Sequence, residues 1–252
     1  MGWIGKLVGG AIGFAIGGPL GAIAGATFGH AFDLNEAQLP DVGNVSRLSE
    51  SEREQLTFFV AAFSMLAKLA QADGSITEKE TAAVEHFMTA DLNLDPASRN
   101  VAVNIFWAAK QSPETFASFA GQFYHQFQYR PQMLSLMIDI MLRVSVADGK
   151  LTPLEEKLIL EAVRIFHYGQ DEYRKLKSRY ISDTEKYYGI LGCERTDSDD
   201  TIKKQYRKLV QDYHPDKIAA KGLPEEFIKF AGDKFREIQE AYEMVKKERG
   251  LS

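Results

Sequence analysis

The stretch DSDDTIKKQYRKLVQDYHPDK, residues 197–217, decides how the rest of this 252-residue chain is read. Ile202, Tyr206, Leu209 and Tyr213 recur at spacings of 4, 3 and 4, which places them on one apolar face of a helix. Lys203, Lys204, Arg207 and Lys208 fall mainly on its other faces. His214-Pro215-Asp216 follows at once. Proline is disfavoured inside a helix and restricts the residue before it, so the helix must stop near Tyr213 or His214. The turn fixes a histidine and an aspartate at a rigid tip, open to a partner. Alone, the tripeptide could be a plain helix stop.

Its surroundings narrow the choice. Upstream, KYYGILGC begins at Lys186, and Tyr187, Ile190 and Leu191 can close one end of a small helical unit. Downstream, a polar loop (IAAKGLPEE, residues 218–226) leads to a second amphipathic helix marked by Phe227, Phe230, Ile238, Ala241, Tyr242 and Val245, with Lys234 as an interruption. Two antiparallel helices and a short leading one make a three-helix unit over residues 184–252.

The series KYYxxLG, IKKxYRKLxxxYHPDK and FxxIxxAYEMV, in this order and spacing, resembles the J domain over residues 185–249. The resemblance implies a co-chaperone. Lys203, Lys204, Arg207, Lys208 and Lys217 would dock on an acidic face of a DnaK-type chaperone, and His214, Pro215 and Asp216 would promote its ATP hydrolysis. Opposite charge would steer that encounter more than it adds affinity. Two departures from the family pattern are Gln205, where alanine is common, and the long KIAAKGLPEEF loop; neither touches the tripeptide. Neither a glycine/phenylalanine-rich segment nor a cysteine-rich zinc module accompanies it, unlike a general-purpose DnaJ.

Residues 169–183 are polar with mixed charge and are expected to form a short helix or linker. Before them, residues 49–168 carry a helical pattern. Ser49 and Glu52 form a capping-box signature, after which Leu56, Phe59, Val60, Phe63, Leu66 and Ala70 keep helical spacing. Ser112-Pro113 reads as an N-cap with proline at the first helical position, and Arg130-Pro131 begins another helix. MLSLMIDIML, residues 133–142, is too short to span a membrane and suits the central helix of a bundle.

An internal repeat lies in this region. Ala-Asp-Gly-x-Ile/Leu-Thr-x-x-Glu occurs twice, with Asp73-Gly74 and Asp148-Gly149 set 75 residues apart. Each copy reads as helix, tight turn, helix. Thr77 or Thr152 would cap the second helix, with Glu80 or Glu155 closing the capping box. The same acids offer an alternative: Asp73, Glu80, Asp148 and Glu155 could converge about a pseudo-twofold axis to hold a cation, although neither repeat supplies the ligand set of an EF-hand. The repeated unit is similar to the TerB-like domain named from tellurite-resistance proteins. That resemblance implies acidic, metal-responsive surfaces and no catalytic residue.

Residues 33–48 read as a linker, holding Pro40 and Gly43. The preceding anchor segment, residues 1–32, contains 23 uncharged residues from 7 to 29. As one helix this run would be about 35 Å long, enough to cross a hydrocarbon core of about 30 Å. Glycine recurs at every fourth position; Gly9, Gly13, Gly17, Gly21 and Gly25 form one face where a second copy could approach closely and dimerise. A signal peptide, a hairpin bent at Gly17-Gly18-Pro19 that dips into the bilayer, and a buried glycine-rich core helix are the alternatives.

Composition bounds the rest. A chain that is 45% apolar and 26% charged is ordinary for a folded protein, and a net charge of −5 argues against binding nucleic acid. Cys193 is the only cysteine and the five histidines are scattered, so a disulfide framework or a zinc site is not expected. No nucleophile–base pair or phosphate loop points to an enzyme, and no cofactor is expected. The full order of parts resembles the DjlA-like family of membrane-anchored, DnaJ-type co-chaperones of Gram-negative bacteria. The expectation is an all-α protein at the inner membrane, in contact with lipid, its soluble domains facing the cytoplasm. The charge pattern weakly opposes that orientation: Lys6 precedes the run, whereas Asp33, Glu36 and Asp41 follow it. The alternative function is metal or stress sensing at the membrane surface through the TerB-like domain.

Overall fold

The computed structural model describes residues 16–33, 49–74, 77–147, 150–181, 186–220 and 222–250. Among these residues the chain is all-helical, with twelve α-helices and no strand. The first is α1 (Gly18–Asp33). A bundle follows, built from α2 (Glu50–Ala70), α3 (Glu78–His86), α4 (Pro96–Gln111), α5 (Phe116–Phe127), α6 (Pro131–Ser145) and α7 (Pro153–Ile165). A π-helical turn, Phe87–Asp91, extends α3. Then come α8 (Gln170–Ile181), α9 (Lys186–Leu191), α10 (Asp199–Asp212), α11 (Pro215–Ala219) and α12 (Glu225–Arg249).

Helix starts are set by local chemistry. Ser49 Oγ accepts from Glu52 N at 3.2 Å while Glu52 Oε2 accepts from Ser49 N at 2.9 Å, closing a capping box on α2. The repeat builds two more: Thr77 with Glu80 at the head of α3 and Thr152 with Glu155 at the head of α7. Proline stands in the first turn of α4, α6 and α7, where its missing N–H has no partner to lose. The start expected at Ser112-Pro113 lies three residues later. Ser112 ends α4, and Thr115 caps α5 by accepting from Ser118 N at 3.1 Å.

Helix α2 departs from the one-sided pattern expected of it. Phe58, Ala61, Ala62 and Met65 are buried along with Leu56, Phe59, Val60, Phe63 and Leu66. It packs on α4, α5 and α6, and α1 and the start of α12 cover its remaining surface. Helix α6 is almost as enclosed, as a nearly continuous apolar run requires.

The glycine-rich segment does not form one uninterrupted helix. Gly17 and Gly18 sit at φ 64° and 59°, a left-handed conformation that interrupts any right-handed helix, and α1 begins at Gly18. Gln122 of α5 holds this bend: its amide donates to Gly17 O at 2.8 Å and its Oε1 accepts from Leu20 N at 2.8 Å. Leu20, Ile23 and Ala24 are buried against the bundle. Among the described residues no helix is long and apolar enough to cross a membrane. Gly9 and Gly13 lie outside the described residues.

The last helices do not hang from the bundle as a separate bead. Ile202, Leu209, Ile238, Ala241 and Val245 fill their own small core, and Tyr206 stacks on Tyr242 with ring centroids 3.8 Å apart. Tyr188 is buried in that unit, and Tyr187 only partly. Phe227 and Phe230, however, turn away from it. Phe227 meets Phe58 edge-on at 4.9 Å and Phe230 meets Phe87 at 5.7 Å, so the start of α12 lies inside the aromatic core of the bundle. Gly222 (φ 74°) brings the preceding loop onto Glu54, which takes a bidentate pair from Arg130 at 2.7 and 2.6 Å. Helix α8, in the stretch expected as a linker or short helix, packs on both α6 and α9 and buries Tyr173 and Leu176.

Candidate functional site

The turn at residues 214–216 is built by the residues on either side. Tyr213 closes α10, its N–H donating to Leu209 O at 3.0 Å. His214 then leaves the helical region (φ −61°, ψ 123°) and becomes the N-cap of α11, where Nδ1 accepts from Asp216 N at 3.3 Å. Pro215 occupies the first position of that short helix. Ile218 is buried below it, and the Phe235 ring of α12 meets the His214 ring edge-on at 5.6 Å. The Asp216 side chain is 93% exposed and that of His214 41%. An exposed acid and a half-exposed imidazole thus stand on a turn whose supports are buried.

Of the basic residues, Lys204, Arg207, Lys208 and Lys217 are exposed and Lys203 is partly so. Lys208 reaches Glu172 of α8 at 3.3 Å, a contact that solvent and salt weaken. Lys203, Lys204 and Arg207 precede the turn on α10, and Lys217 follows it on α11. The geometry offers a positive strip that ends at an imidazole and a carboxylate, suited to orienting on an acidic protein face.

Behind the turn lies a buried polar cluster that sequence reasoning did not single out. The Tyr213 hydroxyl donates to Asp139 Oδ2 at 2.8 Å, and the Tyr180 hydroxyl to Asp139 Oδ1 at 2.5 Å. Arg179 Nη1 donates to the Tyr213 oxygen at 3.3 Å. Asp139 has no solvent exposure. Burial pushes the Tyr213 and Tyr180 phenols well above the usual range, and the Asp139 carboxylate beside them adds to the rise. Burial works against the charge on Arg179, yet Tyr213, Asp139 and Tyr180 together raise its pKa. Lys234, the interruption in α12, lies 4.7 Å from the centre of the Tyr180 ring and pairs with Glu237 at 3.0 Å.

The candidate cation ligands are partly brought together. Asp73, Glu80 and Glu155 line one cavity of about 550 Å³ between the two repeats, with Leu66, Leu69 and Val144 on its walls. Asp148 lies outside the described residues. Glu80 Oε2 accepts from Thr77 N at 2.7 Å and Glu155 Oε2 from Thr152 N at 2.9 Å, so each spends one oxygen on its cap. Among the described residues no group of three or more histidines, cysteines or acids is close enough to hold a metal ion. Of the glycine face, Gly21 is buried, Gly25 partly buried and Gly17 exposed.

Comparison with known proteins agrees with this architecture. Residues 59–178 match the tellurite resistance protein TerB family and residues 186–250 the DnaJ domain, while residues 1–46 match the co-chaperone DjlA transmembrane domain. Over the whole length, co-chaperone protein DjlA of Coxiella burnetii is 31% identical, covering 100% of both chains. The chain belongs to the DjlA co-chaperone family. The DjlA proteins of Escherichia coli K12 and Shewanella oneidensis are 29% and 28% identical, covering 88% and 81% of this chain and 89% and 82% of their own. No solved structure matches. As a DjlA family member with the matching transmembrane domain, the chain is a membrane-anchored co-chaperone.

In this family member, Asp139, Tyr180, Arg179 and Tyr213 come from three helices and meet only in the fold. One signal for them existed: Asp139 is the lone charge in residues 133–142, and an acid in a buried helix demands partners.

Proposed function

We propose that this chain binds a DnaK-type chaperone through α10 and stimulates its ATP hydrolysis through His214, Pro215 and Asp216. Lys203, Lys204, Arg207, Lys208 and Lys217 set the approach, and the turn then acts on the ATPase. The chain supplies no catalytic group of its own. The observation that carries this reading is the exposed His214–Asp216 pair at the end of a cationic strip, on a turn held from beneath by buried Tyr213 and Ile218. Residues 1–32 would tether the protein at the inner membrane and pair two copies along Gly9, Gly13, Gly17, Gly21 and Gly25. The remaining residues would face the cytoplasm, where ATP and the chaperone are found.

The test is single-turnover ATP hydrolysis by a purified DnaK with the full-length protein in lipid vesicles. A His214→Gln variant keeps its helical content and loses the stimulation. Undiminished stimulation would sink the mechanism. Protease protection of each end in sealed membranes tests the orientation. A second reading draws on Asp73, Glu80 and Glu155 around one cavity: the bundle senses a cation at the membrane surface. Calorimetric titration with calcium, zinc and manganese separates the two, and absence of heat leaves Glu80 and Glu155 their capping role.

A further inference from the structure

Tyr213 is the residue through which the bundle reaches the turn. It ends α10, directly before His214, and its ring is buried. Its hydroxyl crosses out of the J module to Asp139 Oδ2 of α6, 2.8 Å away and 74 residues earlier in the chain. A carboxylate without solvent is costly unless several donors meet it. Tyr180 supplies the second donor, and Arg179 Nη1 donates to the Tyr213 oxygen. Arg179 Nε is enclosed with no hydrogen-bond partner, so this guanidinium gives up hydration to sit here. Both Asp139 oxygens are taken by phenol hydroxyls, so moving Tyr213 away strands a buried acceptor and one arrangement is favoured.

We infer that Asp139, Tyr180 and Arg179 are positioning residues for His214-Pro215-Asp216, acting through Tyr213. The inference builds on the proposed stimulation of a DnaK-type ATPase. Releasing Tyr213 lets the end of α10 pivot, so His214 and Asp216 present the productive orientation a smaller fraction of the time. Lys203, Lys204, Arg207 and Lys208, four of the cations that set the approach, lie upstream on α10 and keep their place. The signature is therefore a lower maximal stimulation at an unchanged half-saturating concentration.

The experiment titrates the full-length protein in vesicles against DnaK under single-turnover conditions. The variants are Tyr213→Phe, Asp139→Asn, the two combined, and His214→Gln. Tyr168→Phe is the structural control: its hydroxyl lies close enough to Asp139, Arg179 and Asp212 to feel their charges, but its hydrogen bond is to Ser135 of α6, at 3.1 Å, and not to Tyr213. Tyr213→Phe and Asp139→Asn should each lower maximal stimulation roughly three- to ten-fold, with half-saturation unmoved, as expected for loss of one buried hydrogen bond. The double variant should be no worse than the worse single one, because the two share one bond. Tyr168→Phe should lower the melting temperature comparably and keep full stimulation. Wild-type maximal stimulation in Tyr213→Phe, or an equal fall in Tyr168→Phe, overturns the positioning role while His214→Gln still reports the turn as active. A wild type that does not stimulate overturns the function and the positioning role together.

Discussion

At the residue scale the chain concentrates its unusual chemistry in a few phenols. Tyr180 and Tyr213 are held neutral by burial and by the Asp139 carboxylate, and burial with Glu156 close by pushes the Tyr173 phenol up as well. Each pKa is raised on folding, so the stabilising contribution is fully present below the unfolded phenol value of about 10 and is lost as pH rises through the folded values. Between the unfolded and the folded values the unfolded chain has released protons that the folded chain retains, and stability falls by up to about 1.4 kcal/mol per pH unit for each phenol. Urea unfolding between pH 8 and 11.5 should show this alkaline fall. In a Tyr180→Phe/Tyr213→Phe double variant, less stable at neutral pH, the fall should be shallower. An unchanged slope would mean that the two hydroxyls ionise as freely folded as unfolded.

At the scale of elements, the helix starts belong to the local sequence and the helix contacts do not. The capping boxes at Ser49, Thr77 and Thr152 were legible because all their partners lie within four residues. Replacing Thr77 or Thr152 by alanine should each cost about 1 kcal/mol in chemical denaturation. The Thr152 variant should show the larger loss, since Glu155 is buried (7% exposed) whereas Glu80 stands nearer the solvent. Equal small losses would show that burial adds nothing to the second cap. The turn at residues 214–216 was legible for the same local reason, since Pro215 must end α10. The buried polar cluster behind it was not. Asp139 and Tyr213 are 74 residues apart, and no periodicity couples them. Helix α12 shows the same limit: spacing placed Phe227 and Phe230 on one apolar face but could not say that the face is shared between two modules. Gly17-Gly18-Pro19 sits between these cases. The sequence admits both a straight helix and a bend there, and Gln122, more than a hundred residues away, is what holds the bend.

At the scale of the whole molecule, the modules are joined by burial, so their stabilities should be joined too. The J module covers only about residues 186–250, a size at which a lone core is marginal. It gains from the bundle through Phe227 and Phe230, both buried, and through the Tyr213 hydroxyl on Asp139. The bundle gains in turn, since the Phe227 ring fills space among Phe58, Phe59, Phe63 and Phe87. Both sides lose if the contact opens, so opening should be nearly as costly as unfolding. Native-state hydrogen exchange can read this directly. In the full-length protein the slowest amides of α2 and of the second half of α12 should open at one shared free energy. Phe227→Ala empties the centre of the contact, a change that costs about 3–5 kcal/mol at fully buried aromatic sites. In that variant α12 should exchange through its own, cheaper opening while α2 keeps a higher barrier. A wild type in which α12 already opens far below α2 would mean that the modules merely touch, and that a signal at the bundle has no rigid route to His214.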